Sequence, residues 1–203
     1  MHLYTAQAPN PFRVNAFLAE KNIVIPTSFL NVMEGETHST NFQSKNTLCE
    51  VPVLELDDGT FLTESIAICR YLEHLYPENP LMGATPLAQV KIEMWTRRIE
   101  QQIFNTVGDI GLHTFPFFSD RVEQIPEYAQ SMKKLLDKKW RWLDEELSDG
   151  RTYICDDLFS VADITGMAAL FVCGFAKITI PEDLVNLKRW VAAVRKKQKD
   201  QPR

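Results

Sequence analysis

The sequence predicts a small α/β domain, ordered βαβ then ββα, followed by an all-α helical bundle. Three observations carry this. Short apolar runs of strand length alternate with helical spacing from His2 to about Pro77. The stretch PENPLMGATP, Pro77 to Pro86, is the densest cluster of breakers in the chain. After it every apolar repeat has helical spacing.

The elements follow in order. His2 to Thr5 is a short strand. Asn10-Pro11 reads as a helix cap followed by proline at the first helical position, and Val14, Phe17 and Leu18 continue that helix to about Asn22. Thr27 to Val32 is the second strand. Val53 to Leu56 and Phe61-Leu62 flank Asp57-Asp58-Gly59, a hairpin signal. Thr63 or Glu64 opens a helix that Pro77 ends. In the second half, Val90, Met94, Ile99 and Ile103 make one stripe. Tyr128, Met132, Leu135, Leu136, Leu143 and Leu147 make another, and Leu184, Leu187, Val191 and Val194 a third. Ser160-Val161-Ala162-Asp163 has the form of a capping box, with Phe159 and Ile164 placed as its staple.

Composition excludes several function classes. A net charge of −5 argues against nucleic acid as the main partner. The basic runs at Lys133, Lys138 and Arg195 read as solvated faces. The cysteines Cys49, Cys69, Cys155 and Cys173 show no CxxC and no zinc spacing, so no metal is expected. Nothing approaches a membrane span, and the first residues are not a signal peptide. The expectation is a soluble protein with free thiols in a reducing compartment.

Two places ask for more than packing. A proline heads the apolar strand at Val51-Pro52. It has no N–H for a ladder, so it either caps the strand or turns Val51 outward, offering that residue's N–H and C=O to an extended peptide. Glu64-Ser65 opens the next helix. The pair either caps it or receives a charged ligand at the helix N-terminus.

With VPVLELDDGTFLTESIAICRYLE at Val51 to Glu73, APNPFRVNAFLAEKNI at Ala8 to Ile23, and the capping box at Ser160, the chain resembles the cytosolic glutathione transferase family over nearly its whole length. The resemblance implies a thioredoxin-like domain over 1–80, a linker over 81–86 and an all-helical domain over 87–203. It implies a cis Val51-Pro52 bond pairing with the cysteinyl part of glutathione, the co-substrate. Glu64 and Ser65 would take the zwitterionic γ-glutamyl end, and Lys45 could reach the glycyl carboxylate. The family is usually dimeric, through contacts between the two domains of opposite subunits. A cytoplasmic, detoxifying homodimer is therefore expected, with glutathione and a small apolar electrophile as its partners.

The chain also departs from the family pattern. Thr47 and Cys49 stand where proline and glycine are usual, and a positive φ would be costly at Cys49. Serine-type members carry their hydroxyl where Ala8 aligns, and cysteine-type members a thiol near Asn10. Tyr4 reads as structural. Asn10, with Thr5 as a second hydroxyl candidate, is left to assist the thiol. This looks like the bacterial and fungal branch that lacks the usual Tyr, Ser or Cys. There a histidine of the second domain organises the thiol or its water, and the match is His113. The electrophile site is expected between the domains, near Phe104, Phe115 and Phe117. Two alternatives stay open: a glutathione-dependent disulfide reductase or peroxidase, and a non-catalytic interaction module of the same fold.

Overall fold

In the computed structural model the chain divides into two compact units, Met1–Pro80 and the residues from Leu81 onward. Residues 1–199 are described. Positions 200–203 of the expected helical domain lie outside the described residues.

The first unit is built on a four-stranded sheet in the order β2-β1-β3-β4. β1 is His2–Thr5, β2 Thr27–Phe29, β3 Val53–Glu55 and β4 Phe61–Leu62. β1 and β2 are parallel, with Leu3 opposite Thr27, so a crossover must join them. The helix α1, Pro9–Glu20, is that crossover. β3 then runs antiparallel to β1, with Leu3 opposite Leu54 and Tyr4 opposite Val53. The hairpin to β4 turns at Gly59, whose φ of +85° suits glycine. The short α2, Thr40–Gln43, precedes β3, and α3, Ser65–Leu75, closes the unit. Leu3, Val14, Phe17, Leu54, Ile68 and Leu72 form its buried centre.

β2 is shorter than its apolar run suggested. Asn31 accepts from Met33 N at 3.1 Å and caps a 3-10 turn over Val32–Glu34, which takes Val32 out of the sheet. The start of α1 also differs. Its N-cap is Ala8, and Asn10 lies inside the first turn between two prolines, so Asn10 is not the cap.

The second unit is helical. α4, Pro86–Ile99, continues through a π-helical stretch, Glu100–Phe104, into α5, Asn105–Leu112. α6 is Pro126–Glu146, α7 Val161–Phe175 and α8 Val185–Lys199. The stripe expected on α4 is only half inside. Ile99 and Ile103 are buried, but Val90 and Met94 are 66% and 40% exposed, and Ile92 and Trp95 take the inner face. α4 carries two apolar lines, and the one with the tryptophan buries more surface. On α6, Tyr128 and Leu135 likewise face out, while Ala129, Leu136, Trp140 and Leu143 are buried. The stripe of α8 is inside throughout.

The capping box at the head of α7 forms as its sequence dictates. Ser160 N donates to Asp163 Oδ2 at 3.0 Å, and Ala162 N donates to Ser160 Oγ at 3.3 Å. Leu81 and Met82 are buried, and Leu81 O accepts from Val161 N at 3.0 Å. The stretch read as linker thus packs within the helical unit. Among the described residues, no helix is long and apolar enough to cross a membrane.

Candidate active site

The candidate residues of the first unit lie at the start of α1, in the loop before β3 and at the start of α3. Val51 lies two residues before β3, whose first residue, Val53, stands opposite Tyr4 near the end of β1. Val51-Pro52 is cis. Among the described residues nothing hydrogen-bonds the Val51 backbone. Its N–H and C=O therefore form an open edge suited to one more extended strand.

The loop before this edge turns through a left-handed residue without a glycine. Cys49 adopts a φ of +56°, the left-handed geometry expected to be costly there. Asn46 offsets that cost by bridging the loop: its Nδ2 donates to Glu50 O at 2.8 Å, and its Oδ1 accepts from Leu48 N at 3.1 Å.

α3 opens without a side-chain cap. Glu64 is the N-cap residue at φ +65°, exposed, and its carboxylate makes no capping bond. Ser65 follows, 5% exposed, and its Oγ accepts from Arg13 Nη1 at 3.4 Å. Plain capping, the simpler role for this pair, is not what the side chains do. Arg13 was missed in the sequence. It stands beside Val14 and one turn before Phe17, and it is 2% exposed. A cation inside an apolar helical stripe is the signal that could have found it.

The first turn of α1 has few donors. Pro9 and Pro11 have no N–H. Ala8 N is bonded to Ala6 O at 3.0 Å and Phe12 N to Ala8 O at 2.9 Å. Asn10 N–H is the one donor of this turn with no partner among the described residues. The Asn10 side chain is exposed, at the positive end of the helix.

Other hydroxyls near this turn are occupied. Thr5 is fully buried and bonded to Asn15, whose Nδ2 lies 3.2 Å from Thr5 Oγ1, so Thr5 does not face a ligand. Tyr4 OH donates to Glu55 at 2.8 Å. Burial and that carboxylate push the phenol up from its ordinary value, which keeps it protonated. The Lys45 ammonium lies 5.0 Å from the centres of both the Tyr4 and Phe61 rings. Burial raises the thiols of Cys69, Cys155 and Cys173, that of Cys173 to about 12, so these are structural thiols rather than thiolates.

In the helical unit, His113 is the residue that follows α5. Its Nδ1 accepts from Ile125 N at 3.1 Å, and its ring meets Tyr128 edge-on at 5.0 Å. That bond fixes the tautomer with hydrogen on Nε2, the nitrogen left to address anything else. Phe115 and Phe117 come together at 6.3 Å, joined by Phe118 and by Phe175 of α7. Arg121 covers the Phe117 ring at 3.8 Å. Phe104 lies on the π-helical stretch and is half-buried. Among the described residues no cluster of His, Cys, Asp or Glu could hold a metal.

An α/β unit with an open Val-Pro edge, followed by a helical unit with a buried capping box, defines a class of two-domain proteins with a thioredoxin-like first domain. Family models agree: residues 8–75 match the glutathione S-transferase N-terminal domain and residues 110–197 the C-terminal domain. The chain belongs to the glutathione S-transferase family and is a glutathione transferase. It is 35% identical to Glutathione S-transferase 2 of Saccharomyces cerevisiae over 190 residues, covering 92% of this chain and 81% of that one. The crystal structure of a glutathione S-transferase domain-containing protein from Marinobacter aquaeolei superposes with a TM-score of 0.87 at 35% identity, over 96% of this chain and 97% of that one. A class Gtt2 transferase of Vibrio parahaemolyticus does so with a TM-score of 0.82 at 36% identity, over 96% and 92%.

Proposed function

We propose that the chain conjugates glutathione to apolar electrophiles, holding the tripeptide along the Val51 edge with its two ends at two helix N-termini. The observation that carries this is the Arg13–Ser65 contact at 3.4 Å, which concentrates donors at the uncapped start of α3. The γ-glutamyl carboxylate is received there by Ser65, α3's free N–H groups and the Arg13 charge. Glu64, exposed beside it, accepts from the ammonium. Lys45 takes the glycyl carboxylate.

The cysteinyl sulfur is then directed at α1. A free thiol has a pKa near 8.5 and is a few per cent ionised at neutral pH. Lowering it by ~2 units takes about 2.7 kcal/mol. A helix terminus contributes about 0.3–1 kcal/mol and one hydrogen bond to a charge about 1.5–3. Together these suffice without a Tyr, Ser or Cys side chain, and Asn10 N–H supplies the bond. The thiol proton leaves to water, organised by His113 through Nε2. The thiolate forms a C–S bond to the electrophile, whose leaving group departs with its electron pair. Phe104, Phe115 and Phe117 line the acceptor site.

We further propose a cytoplasmic, detoxifying homodimer. Leu87, Val90 and Met94 form an exposed apolar line on α4, which favours a second copy as its cover. The disulfide reductase and the non-catalytic module are supported by nothing comparable. The test is retention on immobilised glutathione together with turnover of an aryl halide. Both should be present in the native chain, and retention should be lost in Ser65→Ala. No binding at millimolar glutathione would leave the interaction module as the reading.

A further inference from the structure

We infer that Gln124 and Tyr128 are positioning residues for the reaction, holding the His113 imidazole in one orientation and one tautomer from the start of α6. This rests on the role proposed for His113, and every contact it uses lies within the helical unit.

Capping does not account for the surroundings of the imidazole. His113 follows α5 and caps it through its backbone, whose N–H donates to Asp109 O at 3.2 Å. The side chain is not needed for that. It meets instead the short stretch from Gln124 to Tyr128.

Gln124 fixes the turn that carries the histidine. Its Nε2 donates to Leu112 O at 2.8 Å and to Phe115 O at 2.9 Å, the carbonyls that bracket His113. Both N–H bonds of the amide are used in closing this one turn. Ile125 comes next as the N-cap of α6, a helix without a side-chain cap. Its N–H goes to His113 Nδ1 at 3.1 Å.

Tyr128 fixes the plane of the ring. From the first turn of α6 it meets the imidazole at 5.0 Å and 70°, an edge-to-face arrangement with a preferred geometry. The tyrosine is held in its turn. Its hydroxyl donates at 3.4 Å to Oδ2 of Asp109, on α5 one turn before His113. The Asp109 charge pushes the phenol up from its ordinary value, so the O–H stays in place as a donor. Tyr128 therefore spans from a carboxylate of α5 to the imidazole. Turning that ring over would break the bond to Ile125 and the contact with Tyr128 together. Nε2–H is then kept as the one donor for the water of the proposed thiol step, supported before glutathione arrives.

The test is steady-state turnover of glutathione with an aryl halide by the full-length protein, together with long-range proton–nitrogen spectra of its histidines. Tyr128 is 39% exposed, so its replacement leaves the core of the helical unit intact. Tyr128→Leu and Gln124→Met should each lower kcat about tenfold, with KM for glutathione changed less than about twofold. Tyr128→Phe keeps the ring edge and should recover most of the loss. Added to His113→Ala, Tyr128→Leu should cost nothing more. The His113 signal should show the Nε2–H tautomer in the native chain and in Tyr128→Phe, and an average of both tautomers in Tyr128→Leu. Native kcat or an unchanged tautomer in Tyr128→Leu, with His113→Ala impaired, overturns this inference alone. So does a Tyr128→Leu loss that persists in full on top of His113→Ala, which would mark a general packing defect. Native turnover in His113→Ala, or none in the native chain, defeats the proposed role of the histidine and this inference with it.

Discussion

Trp190 donates its indole N–H to Asp163 Oδ1 at 2.8 Å, tying α8 to the first turn of α7 through two buried side chains. The same carboxylate accepts from Ile154 N at 2.9 Å, and from Ser160 through both its N–H and its hydroxyl. One capping residue thus joins the end of the preceding loop, the helix start and the last helix.

That carboxylate should make stability depend on pH. Burial pushes Asp163 from 3.8 up to about 6, against the donors that pull it down. A raised pKa means the folded chain holds a proton that the unfolded chain releases. The stabilisation is complete below about pH 4 and is lost as pH rises through about 6, by roughly 2–3 kcal/mol. Asp163→Asn cannot titrate. The native-minus-variant difference in unfolding free energy should therefore shrink between pH 4 and 6.5. A difference that stays flat across that window contradicts the assignment.

Gly166 sets how closely α7 and α8 approach. A Cβ there would stand 2.6 Å from Trp190 Cη2, and the indole cannot retreat without breaking its bond to Asp163. Gly166→Ala should cost about 1–3 kcal/mol. Gly108, on α5, meets nothing within 4 Å, so Gly108→Ala should stabilise by about 0.5–1 kcal/mol. Paired denaturant titrations check the sign of each. Stabilisation by both changes would mean that helix propensity, not packing, decides both.

These contrasts also show what the sequence could reveal. The capping box and the hairpin at Gly59 were legible because local hydrogen bonding and φ demand specific residue types there. The cis Val51-Pro52 bond was legible only through the family resemblance, since X–Pro bonds are mostly trans. Which of two apolar lines on α4 turns inward was not, since Val90/Met94 and Ile92/Trp95 both satisfy helical spacing. The start of α1 was misjudged because Asn10-Pro11 imitates a cap while Pro9 already begins the helix. The partner of Arg13 was hidden for another reason: Ser65 lies 52 residues away, and only the contact of α1 with α3 brings the two together.

Lys21 is a buried clasp at the far end of the first unit. Its side chain is 1% exposed, and its Nζ lies 2.8 Å from Glu73 Oε2. It also donates to Tyr76 O at 2.7 Å and Glu78 O at 2.9 Å, carbonyls of the C-cap of α3 and of the loop just beyond it. Lys21→Met would remove the ammonium from Glu73 and from those carbonyls at once. The expected loss is about 3–5 kcal/mol, read as a lower denaturation midpoint. Lys21→Arg should recover only part of it, because a planar fork cannot point at converging carbonyls as an ammonium does. A variant as stable as the native chain would show that solvent satisfies these groups equally well.

The last prediction separates backbone from side chain in thiol activation, and it rests on the proposed glutathione site. Among the described residues, Asn10 N–H is the single donor open in the first turn of α1. Asn10→Ala keeps it, and the bound thiol's pKa should change little. Asn10→Pro removes it at a position where proline is tolerated, and that pKa should rise by about 1–2 units. Ultraviolet difference spectra of the glutathione complex against pH give the midpoint directly, and retention on immobilised glutathione confirms that the proline variant still binds. If Asn10→Ala raises the midpoint as much as Asn10→Pro does, the side-chain amide is the donor. If neither moves it, the remaining stabilisation lies in the α1 dipole and in water organised by His113, and His113→Ala then becomes the decisive variant.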